Sequence, residues 1–245
     1  MASRTIENYL KQLYLEQESV PGEAVAMGRL ATIMSVVPGT ATAMVKALAD
    51  AGLVHYSPRS GVHLTDAGNQ LALHVLRRHR LVELFLVKVV GLDWSEVHEE
   101  AEELEHVISE KLLARIDALL GHPETDPHGD PIPTSTGDLP ADATETLATC
   151  EVGTPVQITR IVDQEPRFLQ FVDASGLVPG TALEVMERDS EADAVGLRRS
   201  GGPLQTLSTA AARKFLVRPA QSVVTTPSAI PAAPPSADEM PVHHL

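Results

Sequence analysis

The hydrophobic pattern of this chain changes period once, and that change sets what the chain can become. Up to about residue 120 the apolar residues recur at helical spacing. Beyond a stretch dense in Pro, Gly and Asp, HPETDPHGDPIPTSTGDLP, they fall into short strand-like runs. Residues 3–19 place Ile6, Tyr9, Leu10, Leu13 and Tyr14 on one helical face. MGRLATIMS, residues 27–35, reads as a short second helix. Pro38 opens a third, where a first turn tolerates it, and Gly52 closes that helix as a left-handed cap. LVHYSPRSGVHLT follows as two short strands around the turn-rich Ser57–Gly61. Helix, short helix, turn, helix, hairpin is the order of a winged helix-turn-helix.

A long helix is predicted from Asp66 to about Val90, ending at Gly91, with further helices over 95–107 and 109–120. TPVQITRIV, TALEVMER, VGLRRS and KFLVRP predict a small β-barrel. The expected fold is therefore mainly α with a small β domain. It comprises a winged helix-turn-helix at 1–72, a helical domain at 73–140, a linker at 141–151, a β domain at 152–218 and a disordered Pro/Ala/Ser-rich tail at 219–245.

Composition narrows the function. Cys150 is the only cysteine, which excludes an intrachain disulfide framework and a thiolate-rich zinc site. No apolar run reaches the length of a membrane span, since even LVELFLVKVVGL carries Glu83 and Lys88. MASRTIENYL has no basic stretch followed by an apolar one, so no secretory signal is expected. A cytoplasmic protein without a membrane partner follows. The net charge of −14 is uneven: eight basic against six acidic residues in 1–80, and three against ten in 81–120. One end can face phosphates, and the middle suits cations.

That middle carries EVHEEAEELEHVIS. At about 100° per residue, His98, Glu102, Glu105 and His106 share one helical face, apart from an apolar stripe of Ala101, Leu104 and Ile108. On the preceding helix His79 and Glu83 stand four apart and share a face. Two readings stay open on residue chemistry alone: a solvated acidic face, or a pocket of imidazoles and carboxylates that binds a metal. No nucleophile or Gly-rich phosphate loop accompanies the cluster, so neither an enzyme nor a small organic substrate is expected.

The segments ENYLKQLY, TATAMVKALADAGLV, GVHLTDAGNQLA, RRHRLVELFL and HEEAEELEHVIS, in this order over about residues 5–120, resemble the diphtheria-toxin-repressor/manganese-transport-regulator (DtxR/MntR) family. The later β-rich region resembles that family's SH3-like (FeoA-like) third domain. The resemblance implies a metal-dependent regulator, a repressor of metal-uptake genes that binds palindromic double-stranded operators as a homodimer. It implies an ancillary metal site at His79, Glu83 and His98, and a primary site at Glu102, Glu105 and His106 with Asn8. Glu102 stands where iron-type members have cysteine, so Mn(II) is favoured, Fe(II) is compatible, and other divalent transition metals are expected to bind in vitro.

Manganese-type members offer two carboxylates from the first helix, where this chain has Asn8 and Lys11. Lys11 is expected to repel a nearby cation, so two separated sites are expected rather than a close metal pair. In Asp163-Gln164-Glu165-Pro166-Arg167, Asp163 or Glu165 is the candidate ligand from the SH3-like domain. The helix near Pro38 is expected in the major groove, with Thr40 and Thr42 at its start, Lys46 and Arg29 on phosphates, and Arg59 at the wing tip. Leu84, Phe85 and the 107–120 helix are either the dimer surface or plain core, and His243 and His244 in the tail are incidental. The alternative is a winged-helix regulator that answers a non-metal signal.

Overall fold

A computed structural model describes residues 3–140 and 143–220. The first helix, α1 (Arg4–Ser19), starts where the Ser3 side chain accepts from Ile6 N. The next two are α2 (Met27–Ile33) and α3 (Pro38–Asp50), the latter with proline in its first turn. A hairpin follows, β1 (Val54–Ser57) against β2 (Gly61–Leu64), in the register Val54↔Leu64 to Ser57↔Gly61. Tyr9, Leu10 and Leu13 from α1 close over Leu30, Val45, Leu48, Val54 and Val62, so helices and wing share one core.

Helix α4 (Asp66–Phe85), capped by Thr65, is the spine. Its first half contributes Ala72 to the winged-helix core. Its second half packs Leu81 and Leu84 with Leu113 and Ile132, and Val82 with Val97 and Ala101. The helix loosens into a π turn over Leu86–Val90 and stops at Gly91, whose φ of 82° is the left-handed conformation that glycine adopts freely.

Two shorter helices follow, α5 (Val97–Leu104) and α6 (Glu110–Leu119). The predicted helix over 95–107 is thus corrected at its end. Residues 105–107 leave it in a turn before Ser109 caps α6 with its side chain. Leu104, expected on the core stripe, is exposed.

The Pro/Gly/Asp-rich stretch is pinned to the helices. Arg77 and Arg80 donate to the carbonyls of Pro133 and Pro131 at 2.6 and 2.5 Å, and the Asp126 carboxylate accepts from His128 N and Asp130 N. Gly129 (φ 90°) lies against the next domain; a Cβ there would stand 1.9 Å from Thr159 O.

That domain is a six-stranded antiparallel sheet in the order β3-β8-β4-β5-β6-β7. Its strands are β3 (Glu145–Thr146), β4 (Pro155–Ile161), β5 (Ala182–Asp189), β6 (Ala194–Arg199), β7 (Leu204–Ser208) and β8 (Phe215–Pro219). Two helices accompany it, α7 (Pro166–Ser175) and α8 (Thr209–Ala212). The expected linker 141–151 is corrected here, because β3 pairs with β8 and both Leu147 and Cys150 are fully buried in this domain's core. A two-residue edge strand has no period of its own to read. The expected disordered tail, with His243 and His244, lies outside the described residues, which reach 220. Among the described residues no single helix is long and apolar enough to cross a membrane.

Candidate metal centre and nucleic-acid interface

Three elements meet at the acidic middle of the chain: α1, the second half of α4, and α5 with the turn after it. From α4, His79 and Glu83 face inward because their i,i+4 spacing puts both beneath α5, and Nε2 of His79 lies 3.0 Å from Glu83 Oε1. His98 of α5 joins them, with Nδ1 3.2 Å from His79 Nε2 and 3.3 Å from Glu83 Oε1. These three residues can each offer an atom to one ion, so the expected ancillary set is assembled.

Glu105 is fully buried and accepts from His79 Nδ1 at 2.6 Å. Burial works against both charges, yet Glu83 and Glu105 hold the His79 imidazolium up at about 9. Burial likewise opposes the Glu105 charge, but His79 and Lys11 hold its carboxyl below the ordinary range. His79, Glu102 and Glu105 form a second group within ligating reach.

The expected primary set is only partly gathered. Lys11, expected to repel a nearby cation, is itself paired with the carboxylates. Its ammonium donates to Glu102 Oε1 at 2.5 Å and to Glu105 at 2.8 and 3.0 Å, and it is 2% exposed. His106 lies on the other side of Glu105, with Nε2 3.2 Å from Glu105 Oε1. Its Nδ1 meets Glu7 Oε2 at 2.6 Å, and Arg78 steadies Glu7 at 3.1 Å. A carboxylate at Nδ1 is the partner that orients a metal-ligating histidine through its other nitrogen. His106 Nε2 and Asn8 Oδ1 are both buried without a hydrogen-bond partner, a need that a cation would meet, but His106 joins no group within ligating reach among the described residues.

Glu7 was missed by sequence reasoning, which took Asn8 alone from α1. The available signal was its i,i+4 spacing from Lys11, which puts a carboxylate and an ammonium on the face toward α5. Also missed were Asp126 and His128, which with Glu83 form a buried third group. His128 Nε2 lies 2.9 Å from the Trp94 carbonyl, which can only accept, so Nε2 carries the proton. Nδ1 then faces Glu83 Oε2 and Asp126 Oδ2, each 4.0 Å away, with no hydrogen-bond partner. Burial, then the charges of Asp130 and Glu83, push the Asp126 carboxyl well above its ordinary range. A cation between Nδ1 and the two carboxylates would relieve all three.

From the β domain, Asp163, Gln164 and Glu165 line an open cleft with His98. Asp163 is tied to Lys214 at 2.5 Å and Gln164 to Asp130, while Glu165 is exposed. Neither Asp163 nor Glu165 is in a His/Cys/Asp/Glu group within ligating reach among the described residues.

On the winged helix, Thr40 and Lys46 of α3 and Arg59 at the wing tip are exposed. Thr42 Oγ donates to Pro38 O at 2.8 Å, which leaves its acceptor lone pairs outward. Arg29 is held by Glu16 through two bonds of 2.8 and 2.9 Å, so phosphate contact requires it to leave that partner.

Known proteins match this architecture along its length. Residues 1–62 match the N-terminal DNA-binding domain of iron-dependent repressors, 65–134 their metal-binding and dimerisation domain, and 145–219 the FeoA domain. The chain is 34% identical over 194 residues to the iron-dependent repressor IdeR of Mycobacterium tuberculosis, across 74% of this chain and 83% of that protein. It is 30% identical to the diphtheria toxin repressor of Corynebacterium diphtheriae, across 76% and 85%. Among solved structures, a manganese-dependent transcriptional repressor in complex with manganese superposes with a TM-score of 0.79 at 37% identity, covering 88% of this chain and 100% of that one. The manganese regulator SloR superposes at 0.69 with 30% identity, covering 88% and 98%. These relatives are repressors and a regulator rather than enzymes, and the chain belongs to the DtxR/MntR family of metal-dependent, DNA-binding transcriptional regulators.

Proposed function

We propose that this chain is a cytoplasmic, Mn(II)-responsive repressor of metal-uptake genes that binds a palindromic operator as a homodimer, with Fe(II) as a compatible activator. The observation that carries this reading is the polar seam between α1 and the α5 turn, where Glu7 meets His106 and Lys11 meets Glu102 and Glu105. Helix α1 belongs to the DNA-reading domain, whereas His106, Glu102 and Glu105 belong to the metal domain.

Asn8 Oδ1, Glu102, Glu105 and His106 Nε2 are the residues to hold one ion across that seam. Glu83 is placed to hold a second, with His79 and His98 or with Asp126 and His128. Carboxylate, amide oxygen and imidazole without thiolate suit Mn(II), a hard ion; such sites bind later divalent metals as well. When bound, the ion supplies positive charge to carboxylates that are costly to cluster without it. Holding Asn8 fixes α1, and α1 sets the aim of α3 through the core shared by Leu10, Leu13, Val45 and Leu48. Thr40, Thr42 and Lys46 of α3 then face the major groove, with Arg29 and Arg59 on the backbone.

The test is retention of sheared genomic DNA by the purified chain with Mn(II), with anaerobic Fe(II) and with chelator. Metal-dependent retention of a palindromic fragment, lost in Glu105→Ala and His106→Ala, is the expected result. Equal retention under chelation overturns the metal mechanism and leaves a winged-helix regulator of another signal.

A further inference from the structure

Ammonium groups are rarely buried unless paired, and Lys11 is buried to 2% exposure with its donors directed at Glu102 and Glu105. The oxygens it takes belong to the same two carboxylates that the proposed function assigns to the divalent ion. An ammonium and a divalent cation repel and cannot both take the same oxygens at contact distance. We infer that Lys11 is an internal competitor for the metal: its ammonium occupies the carboxylates of Glu102 and Glu105 in the metal-free chain and sets the metal concentration at which the regulator responds. This rests on reading Glu102 and Glu105 as ligands.

Two features make exchange feasible. The lysine stem is long and flexible. Beside it lies a cavity of about 210 Å³ lined by Gln12, Leu15, His98 and Glu102 among others, into which Nζ can swing when it gives up its oxygens. Glu7, one turn earlier on α1, stays on His106 throughout, so the α1–α5 seam keeps one link while the other changes partner. A lysine that served only to cement α1 onto α5 would behave oppositely, since its loss would weaken everything the seam supports, metal binding included.

The sign of the effect separates these roles. Mn(II) affinity and stoichiometry of the full chain are measured by isothermal titration after chelator treatment, for wild type, Lys11→Met and Lys11→Arg. Thermal midpoints are taken with Mn(II) and with chelator. Lys11→Met is expected to bind Mn(II) at least tenfold more tightly than wild type. It should melt lower than wild type in chelator and recover with Mn(II), because the unpaired carboxylates then find their counter-charge in the ion. Lys11→Arg, which keeps the charge, should bind no more tightly than wild type. Unchanged or weaker Mn(II) binding by Lys11→Met, in a chain that wild-type measurements show to be metal-binding, overturns this inference alone. Absence of Mn(II) binding in both wild type and Lys11→Met overturns it together with the ligand assignment beneath it.

Discussion

His79 places both ring nitrogens on carboxylates, 2.6 Å from Glu105 and 3.0 Å from Glu83, and so is an imidazolium in the metal-free chain. Burial opposes that charge, but the two glutamates raise its pKa to about 9. The folded value lies above the unfolded one, so the stabilisation is complete below roughly pH 6.5 and is lost as pH rises through about 9. The thermal midpoint of the chelated chain is therefore expected to fall by roughly 5 °C between pH 6.5 and 9.5. His79→Gln should remove most of that slope; an equal slope in the variant would place the titrating group elsewhere. At this scale the sequence was most legible where ligands sit on one regular helix, as with His79, Glu83 and His98. Glu7 escaped because its role depends on His106, 99 positions away in the chain.

Among the elements, the segment 121–140 departs furthest from its appearance. Its proline, glycine and aspartate content reads as an ordered loop or a linker, and it is the former: it delivers Asp126 and His128 to Glu83 and inserts its backbone against β4. Helical or strand periodicity cannot register residues that alternate along an irregular loop. The loop's shape is set by the Asp126 turn and by Arg77 and Arg80 gripping its carbonyls. Gly129 is where that shape is least forgiving, with its positive φ and Thr159 O where a Cβ would go. Gly129→Ala is expected to lower stability by roughly 2–4 kcal/mol in urea unfolding, since both strain and backbone displacement follow. A loss under about 0.5 kcal/mol would show that the loop relaxes freely and that the β domain is not seated on it. The β domain's four longer predicted runs correspond to β4, β5, β6 and β8, whereas β7 and α7 went unread. LQTLS is short and half polar, and PRFLQFVDAS follows strand-like sequence without a separate helical signal.

For the molecule as a whole, the distribution of exposed apolar side chains bears on assembly. Seven of the thirteen exposed large hydrophobics among the described residues fall between 89 and 119: Val89, Val90, Leu92, Leu104, Val107, Leu112 and Leu119. Leu84, by contrast, is buried in the monomer's own core, which leaves the π turn after α4, the end of α5 with its turn, and α6 as the exposed apolar face of this domain. Covering this apolar cluster with a second copy removes it from water and sets two α3 helices at a fixed separation. Two linked reading heads gain over one by effective concentration, on the order of 10²–10⁴ in affinity when the spacing of the half-sites matches. The double variant Val107→Glu, Leu112→Glu should therefore sediment as a monomer and still take up Mn(II), because neither residue belongs to the ligand groups. It should bind a palindromic operator at least a hundredfold more weakly than wild type, while its affinity for an isolated half-site stays unchanged. A variant that remains dimeric would move the interface off this face, and a monomer with undiminished operator affinity would mean that one reading head, not a spaced pair, recognises the DNA.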